Sequence, residues 1–131
     1  MDQDFSVTAS AGTFRPPGPG TLDFPHQWTA GGVSVQADFT GAHLLHLAVA
    51  GCVLNDLYRE AATLGIDLDG VRVAAGGRFD PDTWQSTGIE YTVELASKAP
   101  VAELHHLLRM VDAEAEIPRA LRAGATVRRA G

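Results

Sequence analysis

The stretch from Gly41 to Leu57 constrains the fold of this chain more than any other. It reads Gly-Ala-His-Leu-Leu-His-Leu-Ala-Val-Ala-Gly-Cys-Val-Leu-Asn-Asp-Leu, has no proline, and holds the single cysteine, Cys52. Its first half is apolar on nearly every face, so a helix formed there needs cover all round. Thr40 is placed to cap the start and Gly65 the end, which predicts a helix running to about Leu64. Gly51 costs about 1 kcal/mol of helix propensity against alanine. A glycine there implies close approach by another element beside Cys52.

The flanking segments alternate in polarity as strands do. Phe5–Ala9, Thr21–Phe24 and Val33–Phe39 predict an antiparallel meander, broken by Pro/Gly-rich turns at 12–20 and 25–32. After the helix, 71–79 reads as a strand with a bulge at Gly76 and Gly77. Asp80-Pro-Asp carries turn chemistry, and Ile89–Leu95 alternates strictly. Pro100 opens a second helix with an apolar face of Val101, Leu104, Leu107, Leu108 and Val111. A short third helix follows over 116–121, ended by Gly124, and Ala125–Arg129 is expected to close the sheet. Strands in antiparallel groups give an α+β class, in one domain over residues 1–131. So long an apolar helix is hard to cover within one small chain, and a dimer that buries it is the natural solution.

Charge narrows the partners. The net charge of −6 argues against a nucleic-acid binder. The apolar stretch is too short, and too interrupted by His43 and His46, to span a bilayer. One cysteine excludes an intrachain disulfide framework and suits a reducing compartment. The start, Met1-Asp-Gln-Asp, lacks the apolar run of a signal peptide. The expectation is a cytoplasmic protein with no membrane partner.

Cys52 is the main chemical candidate, against the plain reading of a small buried hydrophobe. A reactive thiol needs a nearby cation or a helix N-terminus, and Cys52 lies mid-helix. Arg15, in the N-terminal Pro/Gly loop, is the candidate cation. Asp56, one turn after Cys52 on the same face, would oppose a thiolate unless it holds an arginine in place. His43 with His46, and His105 with His106, offer no complete metal site, and no cofactor motif is present. These histidines are expected at a helix end and on a solvated face, as is the acidic run Asp112–Glu116.

The segment Leu44-Leu-His-Leu-Ala-Val-Ala-Gly-Cys52-Val-Leu-Asn-Asp56-Leu resembles the central helix of the OsmC/Ohr family, and the element order resembles it over most of the chain. The resemblance implies antiparallel sheets packed around a buried central helix, in an intertwined homodimer with sites at the subunit interface. It implies thiol-dependent reduction of organic hydroperoxides, in oxidative stress defence, with Cys52 as the attacking thiol and Arg15 stabilising it. Two family positions depart from the pattern. Ala42 stands near the place of the glutamate that orients the arginine, and Ile117 stands where the second, resolving cysteine would be. A sulfenic acid at Cys52 therefore has to be resolved by an external thiol or by Cys52 of another chain. The alternative reading is a small-molecule binding module without turnover. Its pocket around Cys52, lined by Phe14, Trp28, Leu45 and Val49, would hold an apolar or electrophilic ligand.

Overall fold

A computed structural model describes residues 4–131, and the acidic start read at Met1 to Gln3 lies outside them. In chain order the elements are β1 (Val7–Gly12), β2 (Leu22–Phe24), β3 (Val33–Gln36), α1 (Gly41–Leu64), β4 (Gly70–Phe79), β5 (Ser86–Ala96), α2 (Val101–Glu114) and α3 (Glu116–Ala123). The strands form one antiparallel sheet in the order β2-β3-β1-β4-β5.

Strand alternation sorts the side chains into two faces. Ala9 of β1 stands between Val35 of β3 and Val73 of β4. Because side chains alternate along a strand, Val7, Ala9, Ala11, Val33, Val35, Val71, Val73 and Ala75 share one face, and all are buried. Ala50, Val53, Leu54, Leu57 and Ala61 of α1 join them in one core with Leu107 and Val111 of α2. The other face carries Ser10, Ser34, Arg72 and Glu94.

The ends of α1 follow the expected capping. Thr40 Oγ1 accepts the backbone N–H of His43 at 3.1 Å. Gly65 turns left-handed at φ 72°, and the N–H groups of Gly65 and Ile66 bond Ala62 O and Ala61 O. This pair of bonds is the Schellman ending that glycine makes easy. The β4–β5 turn is built by Asp80, whose Oδ1 accepts the N–H groups of Asp82 and Thr83. Gly12 is required by contact: at φ 62°, a Cβ there would overlap the carbonyl oxygen of Asp69.

Three expectations are corrected. The closing strand does not form: Gly124 turns the chain at φ 75°, and residues 124–131 run as exposed, irregular chain. The register runs unbroken through Gly76 and Gly77, and the irregularity falls at Arg78/Phe79. Gly77 is needed instead because Gly88 O occupies the place of a Cβ. Beyond its own helix turn, none of the described residues lies within 4 Å of a Cβ built on Gly51, so no other described element approaches it closely. Among the described residues, α1 is covered on one side. The sheet and α2 take its core face, while Leu44, Ala48 and Asn55 are exposed.

Candidate functional site

Cys52 belongs to the outward side of α1. Ala48 and Asn55, four residues before and three after, share its face and are exposed. Cys52 itself is half-buried, its flank packed against the core. Two cavities adjoin the helix on either side of this ridge. One, of about 360 Å³, is lined by Leu45 and Val49 of α1, Ile89 and Tyr91 of β5, and Pro118, Leu121 and Arg122 of α3. The other, of about 410 Å³, lies under the 25–28 loop and is lined by Phe24, His26 and Trp28 with Leu47, Gly51 and Asn55 of α1. Each has the size of a small-ligand site. The expected single pocket is therefore divided: Leu45 and Val49 line one cavity and Trp28 the other. Phe14 packs under the Arg72 guanidinium at 5.3 Å.

Arg15 lies elsewhere. Its Nε donates to Ser34 Oγ at 3.0 Å, and Ser34 Oγ donates to Asp23 Oδ1 at 2.7 Å. A second guanidinium nitrogen pairs with Asp23 Oδ2 at 3.6 Å. Ser34 belongs to the sheet face turned away from α1, so one chain does not bring Arg15 and Cys52 together.

Asp56, one turn after Cys52, is 4% exposed. An Arg59 guanidinium nitrogen pairs with its Oδ1 at 3.2 Å, while Oδ2 is buried without a partner among the described residues. Burial pushes the Asp56 carboxyl above its ordinary range; Arg59 opposes that shift, and Glu116, Glu60 and Glu114 add to it. The sequence marked Asp56 only by its spacing, because burial of a carboxylate depends on α2 and α3 folding back over the helix.

His43 and His46 depart from the solvated reading, at 6% and 0% exposure. Both pack with the Phe5 ring, and His46 stacks on Phe79. The Phe5 carbonyl, 2.9 Å from His46 Nδ1, can only accept, so Nδ1 carries the proton and Nε2 is left buried without a partner among the described residues. His105 and His106 are exposed. Among the described residues, no three His, Cys, Asp or Glu side chains converge as metal ligands. No helix among them is long and apolar enough to cross a membrane.

Across most of the chain, residues 34–129, the sequence matches the family model described as OsmC-like protein. The chain belongs to the OsmC-like family. Comparison with curated proteins returns no match. Among solved structures, the chain is similar to an OsmC-like hydroperoxide resistance protein from Jannaschia sp. CCS1. The two share 16% identity at a TM-score of 0.53, over 98% of this chain and 93% of that one. At that identity the likeness is one of fold. It places this OsmC-like chain in the same α+β architecture, with its antiparallel sheet and helices.

Proposed function

We propose that this OsmC-like chain is a one-cysteine thiol peroxidase that reduces organic hydroperoxides in oxidative stress defence, working as a homodimer in the cytoplasm. The observation that carries this reading is the placement of Cys52. The one thiol of the chain stands half-buried on the outward ridge of α1, between two cavities of small-ligand size. The named relative, a hydroperoxide resistance protein, supports the substrate class.

The cycle needs only a hydroperoxide and an external thiol. Cys52 sulfur, as thiolate, attacks the terminal oxygen of the hydroperoxide, the O–O bond breaks, and an alcohol leaves after its oxygen gains a proton. The sulfenic acid formed then condenses with one external thiol, releasing water, and a second external thiol reduces the mixed disulfide. Ile117 offers no internal sulfur for this step. Arg15 lies across the sheet from its own Cys52, so in this reading it serves the thiol of the partner chain. The exposed apolar residues of α1 and β2, including Leu44, Leu22 and Phe24, supply a face for that second copy.

The test is trapping of Cys52 sulfenic acid by dimedone after exposure to cumene hydroperoxide, followed by mass spectrometry. The expected result is one stoichiometric adduct at Cys52, absent in Cys52→Ser. An unmodified Cys52 under excess peroxide would overturn the reading. A second reading, binding without turnover, is favoured by the aromatic lining of the cleft at His26 and Trp28. Thermal stabilisation by apolar ligands, retained in Cys52→Ser, would support it over the first.

A further inference from the structure

The cleft under the 25–28 loop has a roof held by its own bonds. His26 engages both ring nitrogens, with Nδ1 2.8 Å from Thr29 Oγ1 and Nε2 2.9 Å from Asn55 Oδ1. Its ring meets those of Trp28 and Tyr58 edge to face, with centroids 5.5 and 5.7 Å away. Gly32 closes the loop at φ 80°, where a Cβ would overlap the carbonyl oxygen of Phe24. The floor is α1, where Leu47, Gly51, Leu54 and Asn55 recur at the spacing of one helix face. Gly51 makes a notch in that floor: beyond its own helix turn, none of the described residues lies within 4 Å of a Cβ placed there. In mid-helix, glycine costs about 1 kcal/mol against alanine, and no packing by the described residues offsets that cost. The notch leaves room for something that the described chain does not supply.

Resting on the binding reading above, we propose that this cleft takes a neutral aromatic molecule that carries one hydrogen-bonding group. The walls decide the charge. None of the residues lining the cleft is Asp, Glu, Lys or Arg, so an ion entering it would lose water without gaining a counter-charge. The cavity on the other side of the ridge differs, because Arg122 lines it. The rings decide the shape. Phe24, His26 and Trp28 line the cleft, and Phe24 is 50% exposed. Aromatic pairs gain energy beyond the area that they bury. Asn55 decides the polar group. One end of its amide is engaged by His26, and the other has no partner among the described residues. That end is left to meet a polar atom of the ligand, as the few polar groups of an apolar site do. The thiol of Cys52 takes no part.

The test follows two NMR signals of the wild-type chain at pH 7, the Trp28 indole N–H and the Gly51 amide, during titration with benzamide. Both are expected to shift together and to saturate. Cyclohexanecarboxamide keeps the amide without the π system and should bind about fivefold more weakly. Benzoate keeps the ring and adds a charge, and should bind at least about tenfold more weakly. Gly51→Leu fills the notch and should remove saturable binding of benzamide, while Cys52→Ser should bind as wild type does. Any one of four results would overturn the proposal: no saturable shift at the two signals, benzoate binding as tightly as benzamide, equal affinity for the two amides, or unchanged affinity in Gly51→Leu. The wild-type series stands whether or not that variant folds. Movement of both signals with protein concentration alone, and none with benzamide, would assign the cleft to a second copy and overturn it too. Equal affinity for the two amides removes the aromatic class and leaves the binding reading standing. Failure of the whole series together with no thermal stabilisation by apolar ligands removes both.

Discussion

Arg15 and Ser34 are joined across the outer face of the sheet, Nε to Oγ at 3.0 Å, and Asp23 completes the chain of bonds. These contacts fasten the long Pro/Gly loop to β3 and to the short edge strand β2. Arg15→Met should lower stability by about 1 kcal/mol, the worth of one such hydrogen bond with a half-exposed ion pair. Urea unfolding measures this loss. The same variant tests the role in the thiol chemistry: a Cys52 sulfenic acid yield equal to that of wild type would leave Arg15 as a structural tie only.

The free space at Gly51 makes a prediction of sign. Beyond its own helix turn, none of the described residues lies within 4 Å of a Cβ there, and the site is helical. Gly51→Ala should therefore stabilise an isolated chain by about 1 kcal/mol. Thermal unfolding at low protein concentration reads this directly. A loss of stability that appears only as concentration rises would mean that a second copy packs against Gly51.

Asp56 also shapes the pH dependence of stability. Its carboxyl is raised in the fold, chiefly by burial. Between the unfolded value near 3.8 and the raised folded value, the native state holds a proton that the unfolded state has released. The contribution of this group to stability is therefore greatest in acid and declines as pH rises through that window. Stability of wild type relative to Asp56→Asn should fall across the same window and level off above it. Urea titrations at a series of pH values measure the difference.

His46 ties α1 to the start of the chain, 41 positions after Phe5. Replacing it with alanine removes a buried ring from between Phe5 and Phe79 and leaves the Phe5 carbonyl without its donor. The expected cost is about 3 kcal/mol. Hydrogen exchange should show the loss first around β1, where neighbouring residues depend on that anchor.

Much of the fold was legible in short-range chemistry. Thr40, Gly65 and Pro100 mark helix ends through their own backbone needs, and Val33, Val35 and the alternation in 89–95 mark strands. Three features were not legible, for distinct reasons. The face that receives Arg15 depends on how the loop closes over the sheet, and loop polarity does not encode it. The burial of His43 and His46 depends on Phe5 and Phe79, which lie far from them in sequence. Ala125–Arg129 has β propensity, but a strand forms only against an edge, and the turn at Gly124 leads away from one. At the site, the cysteine was evident from its uniqueness. The burial of Asp56 required the α2–α3 corner, which only the tertiary structure supplies.

The outer edge of β5 remains to be considered. Eleven residues long, it pairs with β4 on one side and stands at the margin of the sheet on the other. Long margins of this kind recruit strands from other molecules unless something discourages it. Here Glu90 and Glu94 place negative charge along the strand, and Arg72 neutralises only Glu94. Ionic strength therefore acts on how this protein keeps company with itself. Salt that screens Glu90 and Glu94 weakens that discouragement, so any edge-to-edge association at β5 should grow with ionic strength.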